Sequence, residues 1–144
     1  VQDAVNRDRP RTFEIAMQHM RWFLNGRTFE MEAVATDEIV RLGDLEVWEF
    51  VNQRGMMGMI HPMHIHNVQF QVIERQMPPQ FNDIWDTVQA GYVDEGWKDT
   101  VLVMPGERVK VLRKCEDYEG LYLSHCHNLE HEDQGMMRNY RVKA

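Results

Sequence analysis

Hydrophobic positions along this chain recur mostly at every second residue. Phe13, Ile15 and Met17 are spaced by two, Trp48 and Phe50 interleave with Val47, Glu49 and Val51, and Val68, Phe70 and Val72 precede Val109 and Val111. A period of two sends alternate side chains to opposite faces, so these segments predict half-buried strands. Asn25-Gly26 after Trp22-Phe23-Leu24 predicts a hairpin turn, while Gly43-Asp44 and Pro105-Gly106 mark the starts of later strands. About seven or eight short strands with polar turns between them predict an antiparallel sandwich. One stretch breaks the period. Between Pro78 and Gly91, Phe81, Ile84, Trp85 and Val88 recur at helical spacing and predict a short amphipathic helix over one end of the sandwich. Residues 1–10, polar and charged up to Pro10, read as a leader or interdomain linker, which leaves 11–144 as one domain.

A chain of 144 residues buries roughly two thirds of the surface its unfolded form exposes, so it needs no disulfide to fold. The net charge of -7 and the scatter of the basic residues exclude a nucleic-acid partner, whose phosphates require clustered Lys and Arg. No apolar run approaches the roughly 20 residues of a membrane span. The first residues, Val1-Gln2-Asp3-Ala4-Val5, contain neither an initiator Met nor a hydrophobic signal core, and read as an internal or processed start. Cys115 and Cys126 could pair with each other. If Cys126 is instead a metal thiolate, Cys115 is left as a free structural thiol.

Six of the seven histidines fall in two clusters, His61-Pro62-Met63-His64-Ile65-His66 and His125-Cys126-His127-Asn128-Leu129-Glu130-His131, with Met136 five residues further on. Imidazole, thiolate and thioether together form a copper ligand set. Cys126 follows an apparent strand, Leu121-Tyr122-Leu123, and in extended geometry it points to one face while His125 and His127 point to the other. Two separate metal sites follow, joined by a few covalent bonds of backbone. The cysteine site needs two imidazoles and a weak axial donor; His131 and Met136 can return on one loop and His61 can come from a neighbouring strand. His64 and His66 share parity and can join His125 and His127 in the second site.

These residues resemble the C-terminal cupredoxin domain of the multicopper oxidases, the family of laccases, bilirubin oxidases and bacterial cuprous oxidases. HPMHIH and HCHNLEHEDQGM carry the resemblance, supported by WFLNGR at Trp22–Arg27, GWKDTVLVMPG ending at Gly106, and the final strand Tyr140 to Val142. Glu132-Asp133 after His131 and the pair Met136-Met137 resemble the bacterial members. The resemblance implies a cupredoxin-like Greek-key β-sandwich with a short helical insertion. It implies type 1 copper on His61, Cys126 and His131 with Met136 axial, His64 as the type 2 ligand, and His66, His125 and His127 as type 3 ligands. It further implies electrons taken from a phenolic or cuprous substrate and passed through the His-Cys-His bridge to a trinuclear copper site, where dioxygen becomes water. The setting it implies is periplasmic or extracellular.

One departure limits that expectation. The family's trinuclear site uses eight histidines, half of them from two His-x-His motifs in an N-terminal domain, and here only His19 remains outside the two clusters. The resemblance therefore implies that N-terminal cupredoxin domains, on the same chain or a partner chain, complete the site. A standalone blue-copper electron carrier is the competing reading, although it has no use for the second histidine set. Met56, Met57 and Met59 either contact cuprous substrate or serve as flexible packing. Glu132 and Asp133 either relay protons and orient His131 or are solvated loop charges. Asp99 resembles a family position near the type 1 histidines and also suits a simple strand entry. His19 reads as an ordinary strand histidine.

Overall fold

The computed structural model describes residues 1–53 and 58–144 and forms a sandwich of two five-stranded sheets. In chain order the strands are β1 (Arg11–Gln18), β2 (Arg21–Leu24), β3 (Ile39–Arg41), β4 (Leu45–Asn52), β5 (His61–Ile65), β6 (Phe70–Gln76), β7 (Thr100–Val103), β8 (Arg108–Lys114), β9 (Gly120–Cys126) and β10 (Met137–Lys143). Two short helices, α1 (Asn82–Val88) and α2 (Leu129–Asp133), complete it. One sheet runs β2-β1-β4-β8-β6 and the other β3-β10-β9-β5-β7. The inward-facing aromatics interlock between them: Phe13 lies 4.6 Å from Trp48, and Trp48 meets Tyr140 edge-on at 5.2 Å. This is the cupredoxin-like sandwich expected from the sequence.

Its pairing corrects two expectations. Ten strands form among the described residues, more than the alternation predicted, because β2, β3 and β7 are too short to show a period of their own. The sheets are also mixed. β1 pairs with β4 in parallel, and β10 with β3 in parallel. After β2 the chain crosses to place β3 in the opposite sheet, then returns as β4 beside β1, so the two strands run the same way. Alternation fixes which face a residue takes, not the direction of the neighbouring strand.

The first hairpin likewise turns where no turn residue advertises it. Its two-residue loop is His19-Met20, with φ of 50° and 62°, so His19 lies in a turn and not in a strand. Asn25-Gly26 does make a tight turn, closing a single bridge between Leu24 and Arg27. The helical insertion lies where the spacing placed it, but Ile84 is 56% exposed and no α1 residue is fully buried. Arg75 ties this region to the sandwich, pairing with Asp94 and the buried Glu107 while its guanidinium lies 4.5 Å over Tyr92. Residues 1–10 lie along β4: Asn6 exchanges two hydrogen bonds with the Val47 backbone, at 2.9 and 2.7 Å, and Ala4 is buried.

Candidate metal centre

β5 and β9 run antiparallel side by side, with Met63 opposite Cys126 and His64 opposite His125. Strand alternation then separates the donors: His61 and Cys126 face the core, whereas His64 and His125 face the other side of the sheet. The third core-facing donor arrives on a loop. The Asn128 carbonyl accepts hydrogen bonds from the His131 and Glu132 amides, starting α2, which turns His131 inward. The loop closes when Met136 N–H donates to the His131 carbonyl at 2.9 Å and Cys126 N–H donates to the Met136 carbonyl at 3.1 Å.

Cys126 Sγ consequently lies 3.6 Å from Nδ1 of His61 and 3.6 Å from Nδ1 of His131. All three residues are buried, as is Met136 beside them. Burial holds the His61 imidazolium down to about 4, with help from the neighbouring His131, and lowers His131 as well. Burial also pushes the Cys126 thiol up to about 11. Two neutral imidazoles and a thiol thus converge in an apolar enclosure, at separations suited to a shared first-row cation whose bonds to N and S run about 2.0–2.3 Å. Trp22 packs against both rings, 5.0 Å from His61 and 4.2 Å from His131.

On the opposite face His64, His66 and His125 bring ligand nitrogens within 4.8 Å of one another. Nε2 of His66 lies 3.0 Å from Nε2 of His125. The other nitrogens are tied back: His64 Nδ1 to the Asp99 carbonyl at 2.7 Å, and His125 Nδ1 to the Cys126 carbonyl at 3.0 Å. A ring that donates Nδ1–H to a carbonyl presents an unprotonated Nε2, the tautomer a metal needs. His127 stands at the margin, its ring 5.4 Å from that of His125 and 5.6 Å from that of His64. A cavity of 760 Å³ opens beside this group, lined by His64, His66, Trp97 and Asp99 among others.

Several placements differ from expectation. The Glu132 carboxylate faces His125, with Oε2 3.7 Å from Nδ1, and not His131, because successive residues of a helical turn point about 100° apart. Asp133 is exposed. Asp99 contacts His64 through its carbonyl and so belongs to the histidine cluster, not to the cysteine one. Met56 and Met57 lie outside the described residues. Met59 is half-exposed and lines a cavity of 330 Å³ that reaches His61. Met17, Met20 and Trp22 line the same cavity, although nothing in their sequence context marks them for a site. Cys115 and Cys126 are both free, and Cys115 is buried against the Arg113 guanidinium, Nη2 to Sγ 2.7 Å.

A sandwich with a His-Cys-His strand end and two back-to-back donor groups defines a copper-binding cupredoxin domain, and comparison with known proteins agrees. The sequence model of the multicopper oxidases matches residues 4–144. A laccase from Haloferax volcanii is 42% identical over 124 residues, covering 83% of this chain and 19% of the laccase. A bilirubin oxidase from Albifimbria verrucaria is 34% identical over 133 residues, covering 92% of this chain and 22% of that protein. The crystal structure of the McoA multicopper oxidase 2F4 variant from Aquifex aeolicus superposes with a TM-score of 0.75 at 37% identity, covering 97% of this chain and 31% of that one. The chain belongs to the multicopper oxidase family, and copper is the cofactor its donor groups suit. It spans about a fifth of the length of the curated relatives it matches.

Proposed function

We propose that this chain is the C-terminal cupredoxin domain of a larger multicopper oxidase, with residues 1–10 as the linker into domain 11–144. The observation that carries the reading is the pair of donor groups on opposite faces of β9, joined through the Cys126–His125 peptide. His61, Cys126, His131 and Met136 would hold the type 1 metal; His64 would hold the type 2 metal, and His66, His125 and His127 the type 3 pair. Bound copper supplies one-electron acceptance at the first group and reduction of dioxygen to water at the second.

The chain's own residues connect the two. From Cys126 the backbone leads in one residue to His125 and in one to His127, and the hydrogen bond from His125 Nδ1 to the Cys126 carbonyl adds a shorter path into the His125 ring. Glu132, partly exposed beside His125, holds a proton between solvent and the histidine group. A phenolic or cuprous reductant occupies the cavity that reaches His61, where Met17, Met20 and Met59 present thioethers suited to Cu(I). Met56 and Met57 are part of the same proposal. Among the described residues no helix is long and apolar enough to cross a membrane; a periplasmic or extracellular setting belongs to the proposal on family grounds.

A blue-copper electron carrier would leave the convergence of His64, His66 and His125 without use. Oxygen uptake tests the choice. With copper and a phenol supplied, the 144-residue chain turns blue but sustains no reduction of dioxygen, and turnover appears when a partner region contributes the missing histidines. Sustained turnover by the chain alone refutes the need for other domains.

A further inference from the structure

Strand β2 is four residues long, yet it is held with unusual backbone expense. Among the described residues four non-glycine positions have positive φ: His19, Met20, Asn25 and Asn67. Three of them flank β2. Asparagine tolerates the left-handed region, but histidine and methionine do so less readily, and consecutive residues of that kind persist only where the surroundings over-determine them. Between the two turns β2 sends Trp22 and Leu24 inward, Trp22 lying opposite Met17 of β1.

Trp22 meets both imidazoles of the cysteine-containing group. Its indole stands edge-on to His61 at 5.0 Å and tilted against His131 at 4.2 Å, while the two imidazoles lie 4.9 Å from each other. His131 reaches the centre from a five-residue helix in a loop, so this indole is a wall supplied from the opposite sheet. Trp22 also lines the 330 Å³ cavity, together with Met17, Met59 and His61. The indole therefore stands at the boundary of the cavity and the donor group, where His61 also borders the cavity yet stays buried.

We propose that Trp22 is a positioning residue of the cysteine-containing centre: it clamps the His61 and His131 imidazoles beside Cys126 and limits access to that centre from the adjoining cavity to the edge of His61. The inference rests on reading His61, Cys126 and His131 as the type 1 donor set, and its consequence is a low-dielectric surround. Solvent access and dielectric around a metal set its reduction potential. An opened wall admits water, favours the more highly charged oxidised state and lowers the potential.

Cys115 provides an internal control, since it is as fully buried as Cys126 but lies at Arg113. In the full metal-free chain, Trp22→Ala speeds alkylation of Cys126 by about tenfold or more relative to Cys115, as a local opening does. Equal acceleration of both thiols identifies general loosening, and no acceleration of either identifies a wall that seals nothing; both overturn the proposal. Trp22→Phe, which retains a ring, guards against misfolding in the copper-loaded protein. It keeps the thiolate charge-transfer band, shifts its position and lowers the reduction potential. A variant with unchanged band and potential but reduced thermal stability makes Trp22 a core-packing residue only. Absence of a blue band in the unsubstituted protein refutes the copper assignment and leaves the alkylation result standing.

Discussion

The two donor groups of this domain share strands β5 and β9 yet differ in kind. His61, Cys126, His131 and Met136 are buried, drawn entirely from this chain and enclosed by Trp22. His64 and His66 are half-buried and line a 760 Å³ cavity, and His127 is exposed. Both depend on the same alternation, since a one-residue step along β9 moves from Cys126 to His125 and from one face to the other. A buried group with two imidazoles, a thiol and a thioether is self-sufficient. The open group gathers imidazoles from His64, His66 and His125 beside a cavity, and the proposed function needs further histidines there.

The sharpest way to break the comparison is to remove the one ligand that defines the closed group. Cys126→Ser eliminates the thiolate, so the intense blue charge-transfer band of the copper-loaded protein disappears completely. His64, His66 and His125 remain in place, and copper content falls only in part. A band that survives with copper bound contradicts the assignment of Cys126.

Glu132 tests the open group in the same way. Its carboxylate lies 3.7 Å from His125 Nδ1 and 31% exposed, a position from which it can exchange protons with solvent. Glu132→Gln keeps the shape and removes the titratable oxygen. In a complete enzyme, reoxidation by dioxygen slows by about a hundredfold, the scale of a positioned acid or base, while reduction of the closed group by substrate is unchanged. Stopped-flow measurement separates the two half-reactions, and equal slowing of both places Glu132 in structure and not in proton transfer.

The convergence of His61, Cys126 and His131 was legible in the sequence, because strand parity and the short loop after Cys126 bring them together. The pairing of His64 with His66 followed from the same parity. What was not legible depends on contacts between distant segments. Nothing in Trp22-Phe23-Leu24 distinguishes a core aromatic from one laid against two imidazoles. The His19-Met20 turn carries no Gly or Asn, so its backbone was hidden, and with it the arrival of Met20 at the cavity. Adjacency in sequence suggests His131 as a partner of Glu132, whereas the turn of α2 aims its carboxylate at His125. The parallel pairs β1·β4 and β3·β10 arise from sheet crossings that alternation does not record.

The approach to the closed group is the next point of pressure. Thioethers bind Cu(I) through soft sulfur, whereas a phenol gains mainly apolar contact that Leu also offers. Replacing Met17, Met20 and Met59 together by Leu in a complete enzyme therefore lowers kcat/KM for Cu(I) several-fold, on the order of a tenfold loss for about 1.4 kcal/mol of binding. The value for a bulky phenol changes little. Equal losses on both substrates make the three methionines packing residues.

The smallest expected effect lies at Met136, the proposed weak fourth donor. Met136 is fully buried, and its backbone is fixed at both ends of the loop by the bonds to His131 and Cys126, so the side chain can be changed while the loop holds. Met136→Leu keeps most of the volume and removes one weak sulfur donor. Cys126, His61 and His131 would still hold the metal, so the band persists at unchanged copper content. The oxidised ion, with the greater charge, loses more from a missing donor than the reduced ion does, and the reduction potential rises. Redox titration followed at the charge-transfer band measures this shift. A lower potential, or a band lost while copper remains bound, removes Met136 from the closed group and leaves it with three donors from this chain.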